Sequence, residues 1–455
     1  MNAAAEDRKH FTQAVAQMGE RHGVVASRPI FNSQGLKVVD KGMAINLGLY
    51  ERLMQHVLAT PLEDSVISVD GVNGEALKRA AAAIMGDVPF FGRLAPEGPS
   101  RKLILSVIET VPLPEAMALQ LTVAREVRPE IYANLVRTAL VAVWLVNKPP
   151  LVSRYELSMA ASAGLLHDIG MLHVDPLLLQ PARGLNRDQR RQLYSHPLLS
   201  TALVERHHQY PREVIRAVSE HQEYLDGSGY PRNLTGEAIS PLGRVVCMAQ
   251  VVAAMFAPGR SAPEMQLSVL LRLNAHRYDT AMSARVLTLV QPQRDVLSAA
   301  VVLLDDPVAL LGEVDAILAQ LPLKLDSDAQ SSTLDDGMAL VADHGIKLRR
   351  ALAGVGAVPE QLAQLGDAAH DETVQTELTL LVREASWQLR TLGREARRRW
   401  RSEADETYPE PMGQWLKRID ALVATVAGPM PGSSVDELPS RLPGERDGEE
   451  KASLR

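Results

Sequence analysis

Hydrophobic and polar positions change their period along the chain. Near the start, short apolar runs are broken by turn residues. Pro29-Ile30-Phe31, then Asn32-Ser33-Gln34-Gly35, then Leu36 to Val39 predicts a hairpin with a four-residue loop containing glycine. Val66 to Val69 predicts a further strand, and the Ala-rich run Glu75 to Met85 a helix. From Pro99 onward the period is helical. The pattern predicts helices over 100–111, 114–126, 130–146 and 154–168, punctuated by Pro112, Pro114, Pro129 and Pro149-Pro150. It predicts more over 187–208, 211–222, 241–256, 263–274 and 279–290, with a loop rich in Gly and Pro over 223–240. Residues 307–428 also read as helices, the longest over 371–405. The expected fold class is mainly α. A small α+β module over 1–95 precedes an all-helical domain over 96–292. A helical C-terminal region follows over 293–428, then a disordered tail over 429–455.

Composition supports this reading. Apolar residues make up 46% of the 455 and aromatics only 4%, so Ala, Leu and Val must build the core, which favours helices. Lys plus Arg is 48 against 55 Asp plus Glu, a net charge of −7. No basic face for nucleic acid is expected from that balance. Cys247 is the only cysteine, so neither an intramolecular disulfide nor a cysteine metal cage can form, which fits a reducing compartment. No stretch reads as a membrane span, since the best, Thr138 to Val146, stops at Asn147-Lys148-Pro149-Pro150. Met1 to His10 carries acids and lacks the apolar core of a secretion signal. A cytoplasmic location is expected.

The chemistry concentrates between 130 and 256. His167-Asp168-Ile169-Gly170 closes an apolar helix. His196 follows 29 residues after His167, His221 a further 25, and Asp226-Gly227-Ser228-Gly229-Tyr230-Pro231 begins 5 beyond that. Imidazole nitrogens and carboxylates suit Fe, Mn or Zn. A carboxylate such as Asp168 can also bridge two metals and place a hydroxide for attack on phosphorus. A His-Asp dipeptide alone would mean only a helix with a polar end. Likewise a lone His196 or His221 would read as a structural histidine. The weight lies in the set and its spacing.

That spacing and the Gly-Tyr-Pro ending resemble the HD-GYP family of helical, metal-dependent phosphodiesterases that open cyclic di-GMP, a bacterial second messenger. The resemblance covers roughly 96–292, through Pro241-Leu242-Gly243-Arg244-Val245 and Arg277-Tyr278-Asp279. It implies that His167 and Asp168 are catalytic, and that Glu130, His167, Asp168, His196 and His221 are metal ligands. It also implies a substrate or partner surface at Asp226, Gly227, Gly229, Tyr230 and Pro231.

The chain departs from the family pattern at several positions. Asn134 stands where the family has His, Gln222 where a second His is expected, and Gln250 where the later helix carries Asp. Met171 replaces a Lys, and Ala253 a second Asp. By analogy one metal would use Asn134, His167, Asp168 and Gln250, and the other Asp168, His196, His221 and Gln222. Neutral amides supply no anionic charge to a dication. The expectation is therefore at most one divalent transition metal (Fe, Mn or Zn), or none. The expected function is that of a weak or inactive phosphodiesterase, acting as a sensor or scaffold in cyclic di-GMP signalling. Its partners would be cyclic di-GMP or a related nucleotide and a diguanylate cyclase domain. The alternative is an active cyclic di-GMP phosphodiesterase.

Overall fold

The computed structural model describes residues 3–148, 153–179, 186–291, 301–321, 332–399 and 412–426. The expected disordered tail, 429–455, lies outside these residues.

The protein is mainly α. Its N-terminal module opens with helix α1 (Ala3–Gly19). Strand β1 (Val24–Ala26) pairs antiparallel with β4 (Val66–Ser68), and β2 (Ile30–Phe31) with β3 (Lys37–Val39). The expected hairpin is therefore present. Asn32 Oδ1 closes its loop by accepting from the amides of Gln34 at 3.0 Å and Leu36 at 2.8 Å, an Asx-type turn. Helices α2 (Leu47–Leu53), α3 (Gly74–Asp87) and α4 (Pro89–Leu94) complete the module. The sequence pattern did not reveal α1, α2 or α4. The last two are too short to show a period, and start instead at local signals. Asn46 caps α2 through the Leu49 amide, and Pro89 opens α4.

The helical domain follows the expected order: α5 (Pro99–Glu109), α6 (Glu115–Val127), α7 (Pro129–Val146), α8 (Arg154–Leu166), α9 (Arg187–Tyr194), α10 (His196–Arg206), α11 (Arg212–Glu220), α12 (Pro241–Met255), α13 (Pro263–Leu273) and α14 (Thr280–Leu287). One correction concerns 187–208, which is two helices rather than one. Pro197, in the first turn of α10, has no amide hydrogen to continue α9, so the chain restarts at Ser195-His196. Helix α7 is long and apolar enough to cross a membrane by length and composition only. Yet 67% of it is buried against its neighbours, as befits the central helix of a core.

The C-terminal region comprises α15 (Pro307–Ala319), α16 (Ser332–Gly354), α17 (Pro359–Leu362), α18 (Glu372–Arg399) and α19 (Met412–Val426). One apolar core runs from Phe11 to Val286, joining the N-terminal module to the helical domain. A second gathers residues from Ala262 to Val426. Helix α13 serves both. Leu267, Leu270 and Leu271 face the first core, while Met265, Val269 and Leu273 face the second.

Helix α8 delivers His167 to the site, so its contact with α7 matters most. Gly164 makes that contact close, because a Cβ there would lie 2.8 Å from Ala139 Cα. Gly164→Ala is expected to lower unfolding free energy by about 1–3 kcal/mol in urea titration. Gly86→Ala, on open surface late in α3, should act oppositely and gain roughly 0.5–1 kcal/mol.

Candidate metal centre

Three histidines sit at helix ends. His167 caps α8, His196 begins α10 just after α9, and His221 caps α11. The last carbonyls of a helix lack intrahelical partners. Each ring turns Nδ1 onto one of them: His167 onto Gly164 O at 2.8 Å, His196 onto Leu193 O at 2.7 Å, and His221 onto Val218 O at 2.6 Å. A carbonyl can only accept, so each Nδ1 carries the hydrogen. A ring that carries this single proton presents a bare Nε2 lone pair.

Those lone pairs converge on one carboxylate. Asp168 Oδ1 lies 3.2 Å from His196 Nε2 and 3.3 Å from His221 Nε2, and Oδ2 lies 3.4 Å from His167 Nε2. The His196 and His221 Nε2 atoms are 3.2 Å apart. All three imidazoles are fully buried. Burial pushes His196 down to about 4, partly opposed by Asp168, and pushes His221 below its ordinary value. Burial also works to raise the Asp168 carboxyl, but the adjoining histidines outweigh it and hold the group well below the usual range. These tendencies conflict. A second proton on a ring would help hold Asp168 ionised, yet burial drives that proton off. A divalent cation among the four groups removes the conflict, because it supplies positive charge and accepts every lone pair. Among the described residues, Asp168, His196 and His221 form the one set whose ligand atoms all fall within 4.8 Å of one another. The donor set suits Zn, Fe or Mn.

The remaining sequence candidates fall differently. Glu130, on the first turn of α7, pairs with Arg128 at 2.8 Å and its side chain is 59% exposed. It lies outside the ligand cluster, because the start of α7 directs it to solvent. Asn134 is half-buried one turn further on. Gln222 and Gln250 are buried and tied together. Gln250 Nε2 donates to His221 O at 2.8 Å, and Gln222 Nε2 donates to Gln250 Oε1 at 3.2 Å. These amides spend their donors fixing the backbone under His221. Met171, in place of a cation, is buried in the apolar core.

The Asp226–Pro231 turn is largely internal. Tyr230 is 7% exposed and sets its ring edge-on to His196, with centroids 6.0 Å apart. Gly227 has φ +79°, a conformation that favours glycine. A Cβ on Gly229 would lie 2.4 Å from Gln222 O, so that glycine serves packing within the chain. The expected partner surface at Gly229-Tyr230-Pro231 is therefore not an open face. The Tyr230–Pro231 peptide is cis.

Two acids that sequence reasoning left without a role organise this loop. Glu223, buried, accepts from the amides of Arg232 at 2.7 Å and Leu234 at 2.8 Å. Glu220, also buried, accepts from Ser240 N at 2.8 Å and Ser240 Oγ at 2.5 Å, and pairs with Arg216 and Arg232. The available signal was two acids, at 220 and 223, on either side of His221-Gln222 at the mouth of a Gly-rich loop.

Residues 126–282 match the HD domain family. That stretch is similar to an HD domain. Sequence relatives include a 3'3'-cGAMP-specific phosphodiesterase of Vibrio cholerae, 28% identical over 120 residues, covering 26% of each chain. A cyclic di-GMP phosphodiesterase of Borreliella burgdorferi is 28% identical over 132 residues, 28% of this chain and 34% of that one. The cyclic di-GMP phosphodiesterase response regulator RpfG of Xanthomonas campestris is 33% identical over 106 residues, covering 23% and 28%. This chain thus matches about a quarter to a third of the length of these relatives. Asp168, His196 and His221, which could hold a metal ion, all fall inside the matched stretch.

The amide pair can be tested directly. Gln250→Leu keeps the volume but strips the His221 carbonyl and Gln222 of their partner. It should cost about 1–3 kcal/mol in chemical denaturation, as an unpaired buried polar group does. A neutral or stabilising outcome would mark Gln250 as an idle remnant.

Proposed function

We propose that this HD-GYP protein binds a cyclic dinucleotide such as cyclic di-GMP and hydrolyses it weakly or not at all, acting as a sensor or scaffold. The observation that carries this reading is the division of labour among the buried polar groups. Asp168, His196 and His221 offer converging ligand atoms for one cation. Gln222 and Gln250 are bonded to each other and to the His221 carbonyl.

A bound divalent ion would supply Lewis acidity toward a phosphoryl oxygen. His196 and His221 would hold it through Nε2, oriented by their Nδ1–H bonds to Leu193 and Val218. Asp168 would contribute the anionic charge, and His167 would orient Asp168 from its other oxygen. With amides at 222 and 250, no second anionic ligand set backs a second ion. Losing charge stabilisation worth several kcal/mol costs orders of magnitude in rate, at about 1.4 kcal/mol per tenfold.

Elemental analysis of protein grown with supplemented Fe, Mn and Zn is expected to give one equivalent or fewer per chain, lost in Asp168→Ala. Cyclic di-GMP turnover, followed by chromatography of products, should stay well below about 1 per second. The relatives' activities favour the alternative of an active phosphodiesterase. Turnover near 1 per second that His167→Ala abolishes would establish that alternative and overturn the weak-hydrolase reading.

The substitutions also predict a gain. The double change Asn134→His with Gln250→Asp restores an imidazole and a carboxylate. It should raise the bound metal toward two equivalents and increase hydrolysis. Unchanged stoichiometry in a folded variant would show that the amides do not limit metal binding.

A further inference from the structure

The C-terminal helices reach the turn that carries Tyr230. Asp226 starts that turn with its side chain 1% exposed. Its Oδ1 accepts from Ser228 N at 2.9 Å and Ser228 Oγ at 2.6 Å, which closes the turn. Its Oδ2 faces three groups: His276 Nε2 at 3.4 Å, Arg277 Nε at 3.6 Å and His344 Nε2 at 4.0 Å. His344 belongs to α16, far along the chain. Arg277 is held between two rings, Tyr224 at 5.5 Å and Trp387 of α18 at 5.7 Å. Its carbonyl accepts from Leu225 N at 3.0 Å, next to Asp226. The same segment is bolted to α18. Asn274 Nδ2 donates to Glu384 Oε1 at 2.7 Å, and Gln388 Nε2 donates to Asn274 Oδ1 at 3.1 Å.

We propose that α16 and α18 set the position of the Asp226–Pro231 turn, with Arg277 and Trp387 as positioning residues, so that the C-terminal region acts on the metal centre through this joint. The contact on the Asp226 side is incomplete. Asp226 Oδ2 and Arg277 Nε are both buried and neither makes a hydrogen bond. Arg–carboxylate attraction rises steeply once a true charge-assisted bond forms, near 2.7–2.9 Å. A displacement of well under 1 Å at α16 or α18 therefore changes how firmly Asp226 is held. On the far side, Tyr230 N donates to Gln222 O at 3.0 Å, and the Tyr230 ring abuts His196. The path from α18 to the His196 imidazole runs through ring contacts, a buried ion pair and backbone hydrogen bonds. Its consequence for signalling rests on the function proposed above, whereas the mechanical link does not.

Hydrogen–deuterium exchange on the full chain tests the joint. Trp387→Ala should speed exchange of amides in 222–234 roughly tenfold while leaving α7 and the metal bound per chain unchanged. Trp387→Phe, which keeps a ring over Arg277, should restore slow exchange. His344→Ala, at a partly exposed position, should act in the same direction with less risk to folding. Unchanged exchange over 222–234 in both alanine variants, or an equal rise in α7, would refute the proposal. Calorimetry with cyclic di-GMP separates the two readings. Weaker binding in Trp387→Ala than in the parent supports both. No binding by the parent removes the nucleotide reading and leaves the exchange result to judge the joint.

Discussion

The Nδ1–H to carbonyl bonds of His167, His196 and His221 are the constraint from which the site follows. Each uses a carbonyl from the last turn of a helix, so each stabilises a helix end and fixes a tautomer at once. Fixing the tautomer exposes Nε2, and the helix ends aim three such atoms at Asp168. Two bare Nε2 lone pairs 3.2 Å apart beside a carboxylate are repulsive unless something positive sits among them. The fold thus stores a demand for charge. It can do so because the helices are pinned by other means, chiefly the close α7–α8 packing at Gly164 and the buried Glu220 and Glu223 beneath the loop.

Much of this was legible in the sequence. Helices such as α6, α7, α12 and α13 have long apolar periods between proline boundaries, and their positions follow from that alone. The hairpin was legible because a Gly-containing loop joins two short apolar runs. What escaped was either too short for a period, as with α2 and α4, or hidden in a locally helical pattern, as with the break at Ser195. The break has functional weight. It puts His196 at a helix start, with the end of α9 supplying the carbonyl for its ring.

The site was legible as a set of residues but not as an arrangement. Spacing named His167, Asp168, His196 and His221, and these meet. The family resemblance also implied Glu130, and nothing in sequence distance shows that the first turn of α7 leaves it paired with Arg128 at the surface. The amides are the reverse case. As letters, Asn134, Gln222 and Gln250 read only as lost ligands. In place, Gln222 and Gln250 form a bonded pair under His221, a role that depends on α11 and α12 packing together. Hydrogen bonds across elements carry no local sequence period, and that is why they were not foreseen.

The same reasoning bears on why the Asp226–Pro231 turn keeps its glycines although its face is closed. Gly229 lies so near Gln222 O and Glu223 Cα that any side chain would push the turn off the segment carrying His221. Tyr230 would then leave His196, and the edge-on contact of the two rings would open. A turn kept only for contact with an outside molecule would not need this internal fit, and a turn kept only for stability would not need to place a tyrosine against a ligand imidazole. The geometry therefore ties the turn to the candidate metal centre itself. Asp226, gripped from behind by His276, Arg277 and His344, and Tyr230, set against His196, belong to the same short turn.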